Sequence, residues 1–168
     1  MDIISIIVLS AMAIATVGVC VYIVRFFVNR IFAVNYTKTV EDIIKEDGDL
    51  KVSSGINNAT FPIPANKAGK IETINGRLFS GKNPKDLSEK IEKAGCRVAT
   101  FHETLAYCTK YKNKQELALI IAAAAPDRIN NLSVCFGYSI LERTIFTDTI
   151  SNYEDDRIFY ALGVKNID

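Results

Sequence analysis

Lys70-Ile-Glu-Thr-Ile74, Asn75-Gly76 and Arg77-Leu-Phe-Ser80 form the stretch on which the fold turns. Two short alternating segments flank Asn-Gly. Both central positions of a tight hairpin turn need positive φ, and Asn-Gly supplies them at least cost. The spacing therefore predicts a β-hairpin, Lys70–Ile74 against Arg77–Ser80, opening a domain built on an antiparallel sheet.

Reading on from that hairpin, Asn83-Pro84 is a cap followed by proline at the first helical position. Leu87, Ile91 and Ala94 fall at i, i+4 and i+7 and predict one apolar helix face. Gly95 ends that helix. Cys96-Arg-Val-Ala99 reads as a short strand. Thr100 with Glu103 makes a capping box, and Phe101, Leu105 and Cys108 predict the buried face of a second helix running to about Lys112. Tyr107 and Tyr111, one turn apart, read as a packing stripe. Leu117 to Ala125 fits either a helix or a buried strand. Leu132–Phe136, Arg143–Phe146 and Arg157–Leu162 read as strands, with a turn at Asn152–Asp155.

Upstream of the hairpin, Thr39-Val-Glu-Asp42 resembles a capping box. It opens a short amphipathic helix on Val40, Ile43 and Ile44 that ends before Gly48. Asp49 to Gly69 contains Gly, Asn, Ser and Pro, and Phe61-Pro-Ile-Pro64 must be extended. It reads as a loop with one or two short strands. The expected organisation is an anchor over residues 1–34, a membrane-proximal helix and extended linker over 35–69, and a small α+β domain over 70–168 with an antiparallel sheet and two helices.

The anchor is Ile3 to Val24, IISIIVLSAMAIATVGVCVYIV, with no formal charge. At about 1.5 Å per residue such a helix spans roughly 33 Å, enough for a hydrocarbon core of about 30 Å. A cleaved leader needs positive charge before the apolar stretch and a small-residue site after it. Only Asp2 precedes the run, and Ala11-Met-Ala13 and Ala13-Ile-Ala15 lie inside it, so an uncleaved single-pass helix is expected. It continues through FFVNRIF, with Phe26, Phe27, Phe32 and Tyr36 at the interface. Arg25, Arg30 and Lys38 follow the run, and the positive-inside rule places the C-terminal domain in the cytoplasm.

The cysteines agree with a reducing compartment. Cys20 lies in the apolar run, leaving Cys96, Cys108 and Cys135, an odd number that makes no disulfide framework. Three sequons, at Asn35, Asn58 and Asn131, have meaning only in a secretory context. The chain carries 20 basic and 19 acidic residues, a balance that argues against nucleic acid as the partner. Lys110, Lys112 and Lys114 read as a solvated helix end.

The segment Asp86-Leu-Ser-Glu-Lys-Ile-Glu-Lys-Ala-Gly-Cys-Arg-Val-Ala-Thr-Phe-His-Glu-Thr-Leu-Ala106 resembles the opening of C-type-lectin-like domains, including link modules and sulfatase-modifying (formylglycine-generating) folds. Arg157 to Lys165 is similar to the final strand of the sulfatase-modifying group. Small bacterial proteins with an Arg-x-Ala-Thr-x-x-Glu-x-Leu segment, here Arg97 to Leu105, are also similar. The resemblance implies a C-type-lectin-like fold whose first and last strands pair, and it covers about a third of the chain. The chain has no tryptophan, no matching cysteine pairs and no Glu-Pro-Asn or Gln-Pro-Asp triplet, so the family's activities do not carry over.

The candidate chemistry is sparse. Cys96, His102 and Glu103 are the residues with reactive potential. A zinc site needs a fourth ligand and closer spacing, and a Cys–His pair needs hydrogen-bond contact. His102 is expected as a partly exposed first-turn residue, and free cysteines are mostly small buried hydrophobes. Glu154, Asp155 and Asp156 lack calcium-loop spacing. Glu142, Arg143 and Asp148 lie near strand ends with nothing to bring them together. No catalytic, cofactor or metal residue is assigned and no cofactor is expected. The expected function is a membrane-anchored, non-enzymatic binding or scaffold protein with a protein partner or a second copy of itself. A pilin-like filament subunit is the alternative, and a membrane-tethered thiol enzyme using Cys96, His102 and Glu103 comes third.

Overall fold

The computed structural model describes residues 29–82, 84–112, 120–122, 132–139, 142–149 and 158–166, together with Met12 and Thr16. These form an α+β fold of eight strands and three helices: β1 (Arg30–Asn35), α1 (Val40–Asp47), β2 (Leu50–Val52), β3 (Ile71–Gly81), α2 (Pro84–Lys93), β4 (Arg97–Val98), α3 (Phe101–Lys110), β5 (Ile120–Ala122), β6 (Leu132–Ser139), β7 (Glu142–Thr149) and β8 (Phe159–Asn166).

The predicted hairpin is a single strand. Asn75 and Gly76 lie in the middle of β3, paired to Ile31 and Arg30 on one side and to Lys165 and Val164 on the other. The reason is packing. A Cβ on Gly76 would stand 2.7 Å from Cε1 of Phe32 and 3.0 Å from Cδ1 of Leu162. Glycine here admits a close neighbour across the sheet, a demand that local turn chemistry cannot reveal.

The strand order is β1-β3-β8-β5-β6-β7-β2, with β4 also paired to β8. Pairing is antiparallel except for β2 with β7 and β5 with β8. Alternation along β3 and β8 sends residues to two faces. Ile74, Leu78, Leu162 and Val164 join Phe32 and Val34 of β1 in a core with Leu105, Tyr107 and Cys108 of α3. Phe79 and Ala161 point the other way and pack under Leu87 and Ile91 of α2. Full burial of each such aliphatic side chain contributes about 1.5–3 kcal/mol.

The helix punctuation is as the sequence predicts. Thr39 and Thr100 cap α1 and α3 in reciprocal boxes with Asp42 and Glu103. Proline occupies the first position of α2, while its expected cap Asn83 lies outside the described residues. Gly95 closes α2 at φ 66°: its N–H donates to the Glu92 carbonyl and that of Cys96 to Ile91, a Schellman closure. Ala94, expected on the buried face, is exposed because it already lies in this closing turn.

Residues 30–69 correct the expected organisation. Arg30–Asn35 is an edge strand, so a helix cannot extend to residue 34. The segment expected as a linker is part of the globular body: Tyr36, Val40, Leu50 and Ile56 are buried in the main core, and Phe61 stacks on Phe101 with ring centroids 4.2 Å apart. This adds a third helix to the two expected in the domain. Ile120–Ala122 is strand, which decides that part of the ambiguous stretch; the rest of it, Asn152–Asp155, Lys114 and the final two residues lie outside the described residues.

Among the described residues no helix is long and apolar enough to cross a membrane. The run Ile3–Val24 lies outside them except for Met12 and Thr16. Both are helical, and the Thr16 hydroxyl donates to the Met12 carbonyl at 2.9 Å.

Candidate functional site

Of the three candidate residues, Glu103 has the densest surroundings. Its capping role fixes its carboxylate at the start of α3, where the Thr100 N–H donates to Oε2 at 2.8 Å. Arg97 of β4 then reaches it with two guanidinium N–H groups, each at 2.7 Å. The Tyr36 hydroxyl donates to Oε1 at 2.9 Å, and Lys67 reaches the same oxygen at 3.1 Å. Lys67 also donates to Glu72 at 2.8 Å.

Glu103 is completely buried while Arg97 is about two-fifths exposed. Burial favours the neutral carboxylic acid, but the Arg97 bonds, the Thr100 N–H and the Arg97 charge outweigh it and hold the group at about 2. Tyr36 moves the other way. Burial and the Glu103 charge push its phenol up to about 12. Burial would lower Lys67, yet its bonds to Glu72 and Tyr36 and the Glu103 charge raise it. Every polar group in this network has a partner, and together they tie the turn after β1, β3, β4, α3 and the 53–70 loop to one point.

His102 is buried rather than partly exposed, against Tyr36 and Phe101 with ring centroids 6.1 Å away in each case. Its Nε2 has no hydrogen-bond partner among the described residues. Burial lowers its pKa despite the adjacent Glu103 charge. Cys108 is buried under the same helix, and burial raises its thiol pKa, which leaves it a protonated packing residue.

Cys96 stands apart from these two. It packs on the α2 side of the sheet, with Phe79 and Val98. Among the described residues no three His, Cys, Asp or Glu side chains gather to hold a metal ion.

A second ionic centre carries no sequence motif. Arg143 of β7 is buried, donates to Asp47 at the end of α1, and reaches the Cys108 carbonyl at 3.0 Å. Lys112 lies 3.3 Å from the same Asp47 and 3.2 Å from Asp49. An aspartate in a last helical turn is disfavoured by the helix dipole, and the two cations offset this. The pair is 96 residues apart in the chain, a separation no local motif signals.

A cleft of about 220 Å³ lies beside Cys96, lined by Asn29, Asn75, Arg77, Phe79, Ala94, Gly163 and Lys165. The sheet register builds it. Asn75 pairs with Lys165 and Arg77 with Gly163, so these side chains leave the sheet on the α2 face, past the end of that helix. Gly163 keeps the floor low, because a Cβ there would meet the Phe79 ring at 2.6 Å. The Arg77 guanidinium lies 5.1 Å over that ring. Neither Arg77 nor Lys165 forms an ion pair with a carboxylate among the described residues. The Lys165 ammonium borders Gly95, where it also offsets the carbonyl end of α2.

No family model, curated protein or solved structure matches this chain.

Proposed function

We propose that the chain is a single-pass, membrane-tethered binding protein whose domain faces the cytoplasm and acts without covalent chemistry. The observation that carries this reading is the contrast between its two polar regions. The Glu103 network is closed, each group spent on another within the fold. The Arg77–Lys165 cleft is open and cationic, and its two cations meet no carboxylate among the described residues, which leaves them available for recognition. The uncharged run Ile3–Val24 supplies the tether, and the chain reaches the cleft at Asn29, five residues beyond it.

Two measurements on cells expressing the full chain test the reading. The first is retention in membranes after alkaline carbonate washing; a chain that washes off overturns the tether. The second is labelling of Cys96 with a membrane-impermeant thiol reagent, read after denaturation. Labelling only in opened cells is the expected result, and labelling of intact cells overturns the cytoplasmic placement.

A further inference from the structure

We infer that the Arg77–Lys165 cleft seats the phosphate of an anionic lipid headgroup from the same membrane that holds the chain. The inference rests on the tethered reading and deepens it.

Position is the first argument. Asn29 lines the cleft and Arg30 begins β1. Five residues reach at most about 18 Å, so this end of the domain cannot stand far from the end of the apolar run. A cleft at that distance meets headgroups before it meets any soluble partner.

Chemistry is the second. Two cations converge on the cleft, one of them a guanidinium, whose planar fork matches phosphate oxygens. Asn75 also lines the cleft; its Oδ1 is buried without a hydrogen-bond partner among the described residues.

The adjoining surface is the third. Ile31 and Ile71 are 60% and 65% exposed. The register places Ile31 opposite Asn75 and Asn35 opposite Ile71, so both isoleucines emerge on the same face as Asn75 and Arg77. Ile31 beside the cleft and Ile71 farther along the same face, together with cations that meet no carboxylate among the described residues, form the mixed surface that settles at a lipid interface. A free phosphate ester has no use for the isoleucines, and they select the lipid as its source.

Cys96 provides the readout, since it lines the cleft and is only half-buried. The full chain is placed in phosphatidylcholine nanodiscs with increasing phosphatidylglycerol, and alkylation of Cys96 by neutral iodoacetamide is followed by peptide mass spectrometry. Anionic lipid is expected to slow alkylation severalfold. Each basic contact at a lipid surface is worth about fivefold in binding, so Arg77→Gln or Lys165→Gln should raise the half-protecting lipid fraction about fivefold. The double variant should lose protection while its carbonate resistance stays unchanged and its melting temperature falls by only a few degrees, as the loss of one helix-end charge and one ring contact predicts. Protection that persists in the double variant overturns the site, because it reports only surface potential. Protection by soluble glycerol phosphate but not by lipid overturns the lipid source. A chain that fails to remain in the discs refutes the tether alone, and the soluble-phosphate arm then still decides whether the cleft binds phosphate.

Discussion

Arg97 grips Glu103 with both arms of its guanidinium, at 2.7 Å each, across the junction between β4 and α3. The acidic partner has no contact with solvent, and the basic one does. Removing the buried partner is therefore the informative change.

Glu103→Ala strips the counter-charge from Arg97 and Lys67 and removes half of a capping box. Arg97 can be hydrated once Glu103 is gone and Lys67 keeps Glu72, so the loss is that of the charge-assisted hydrogen bonds and the cap, about 2–4 kcal/mol. Urea unfolding should show a loss of that size, and a loss below 1 kcal/mol would mean the network is ornamental.

The same carboxylate predicts an acid limb. Glu103 is held at about 2 in the fold, against an ordinary value of 4.5. Its contribution is complete above pH 4.5. As pH falls from there toward 2 the unfolded chain takes the proton first, and the stabilisation is lost. Melting temperature should drop through this window in the wild type and less steeply in Glu103→Gln.

His102 is the sole histidine of the chain, so its imidazole gives one resonance set. Burial lowers its pKa. NMR titration should place its midpoint below 6.5 in the folded protein. Because the unfolded chain protonates first, stability should decline as pH falls through 6.5, and His102→Gln should remove that slope. A midpoint at or above 6.5 would show that the ring is solvated.

Gly76→Ala tests the long strand directly. The added methyl meets Phe32 and Leu162 at 3.0 Å or less, and overpacking of this kind costs about 1–3 kcal/mol. The companion Gly76→Ala/Phe32→Leu should recover part of the loss. A hairpin turn at Asn75-Gly76 would give no such recovery, since the penalty would then come from backbone φ.

Arg143→Ala leaves Asp47 buried with one fewer cation, and a loss of about 3–5 kcal/mol is expected. Replacing both residues by apolar ones, Asp47→Leu with Arg143→Met, should cost much less than the sum of the single changes. Additive losses in the double-mutant cycle would show that the two residues are uncoupled.

Local grammar was legible in the sequence wherever the controlling contacts are local. Both capping boxes, the proline start of α2 and its glycine end are read from residues within four positions of one another. Strands β6, β7 and β8 were found by their apolar, β-branched character. Most of the failures share a cause: they depended on a distant partner. Gly76 answers to Phe32 and Leu162, His102 is enclosed by Tyr36, and Asp47 waits for Arg143. Cys96 and Glu103 carry reactive side chains, yet one edges a cleft and the other clamps the fold. Arg77 and Lys165 carried no motif at all, because only the antiparallel register of β3 and β8 brings them side by side.

Strand order also dictates a schedule. β1 and β2, the two outermost strands, come from residues 30–52, whereas β8, which alone joins β1–β3 to the β5–β6–β7–β2 half, comes from residues 159–166. A ribosome therefore emits the borders of the sheet first and its keystone last. Until residues 159–166 emerge, the inner edge of β3 has no mate, and strand contacts of this sequence separation form slowly. Until then the nascent domain lacks the strand that unites its two half-sheets.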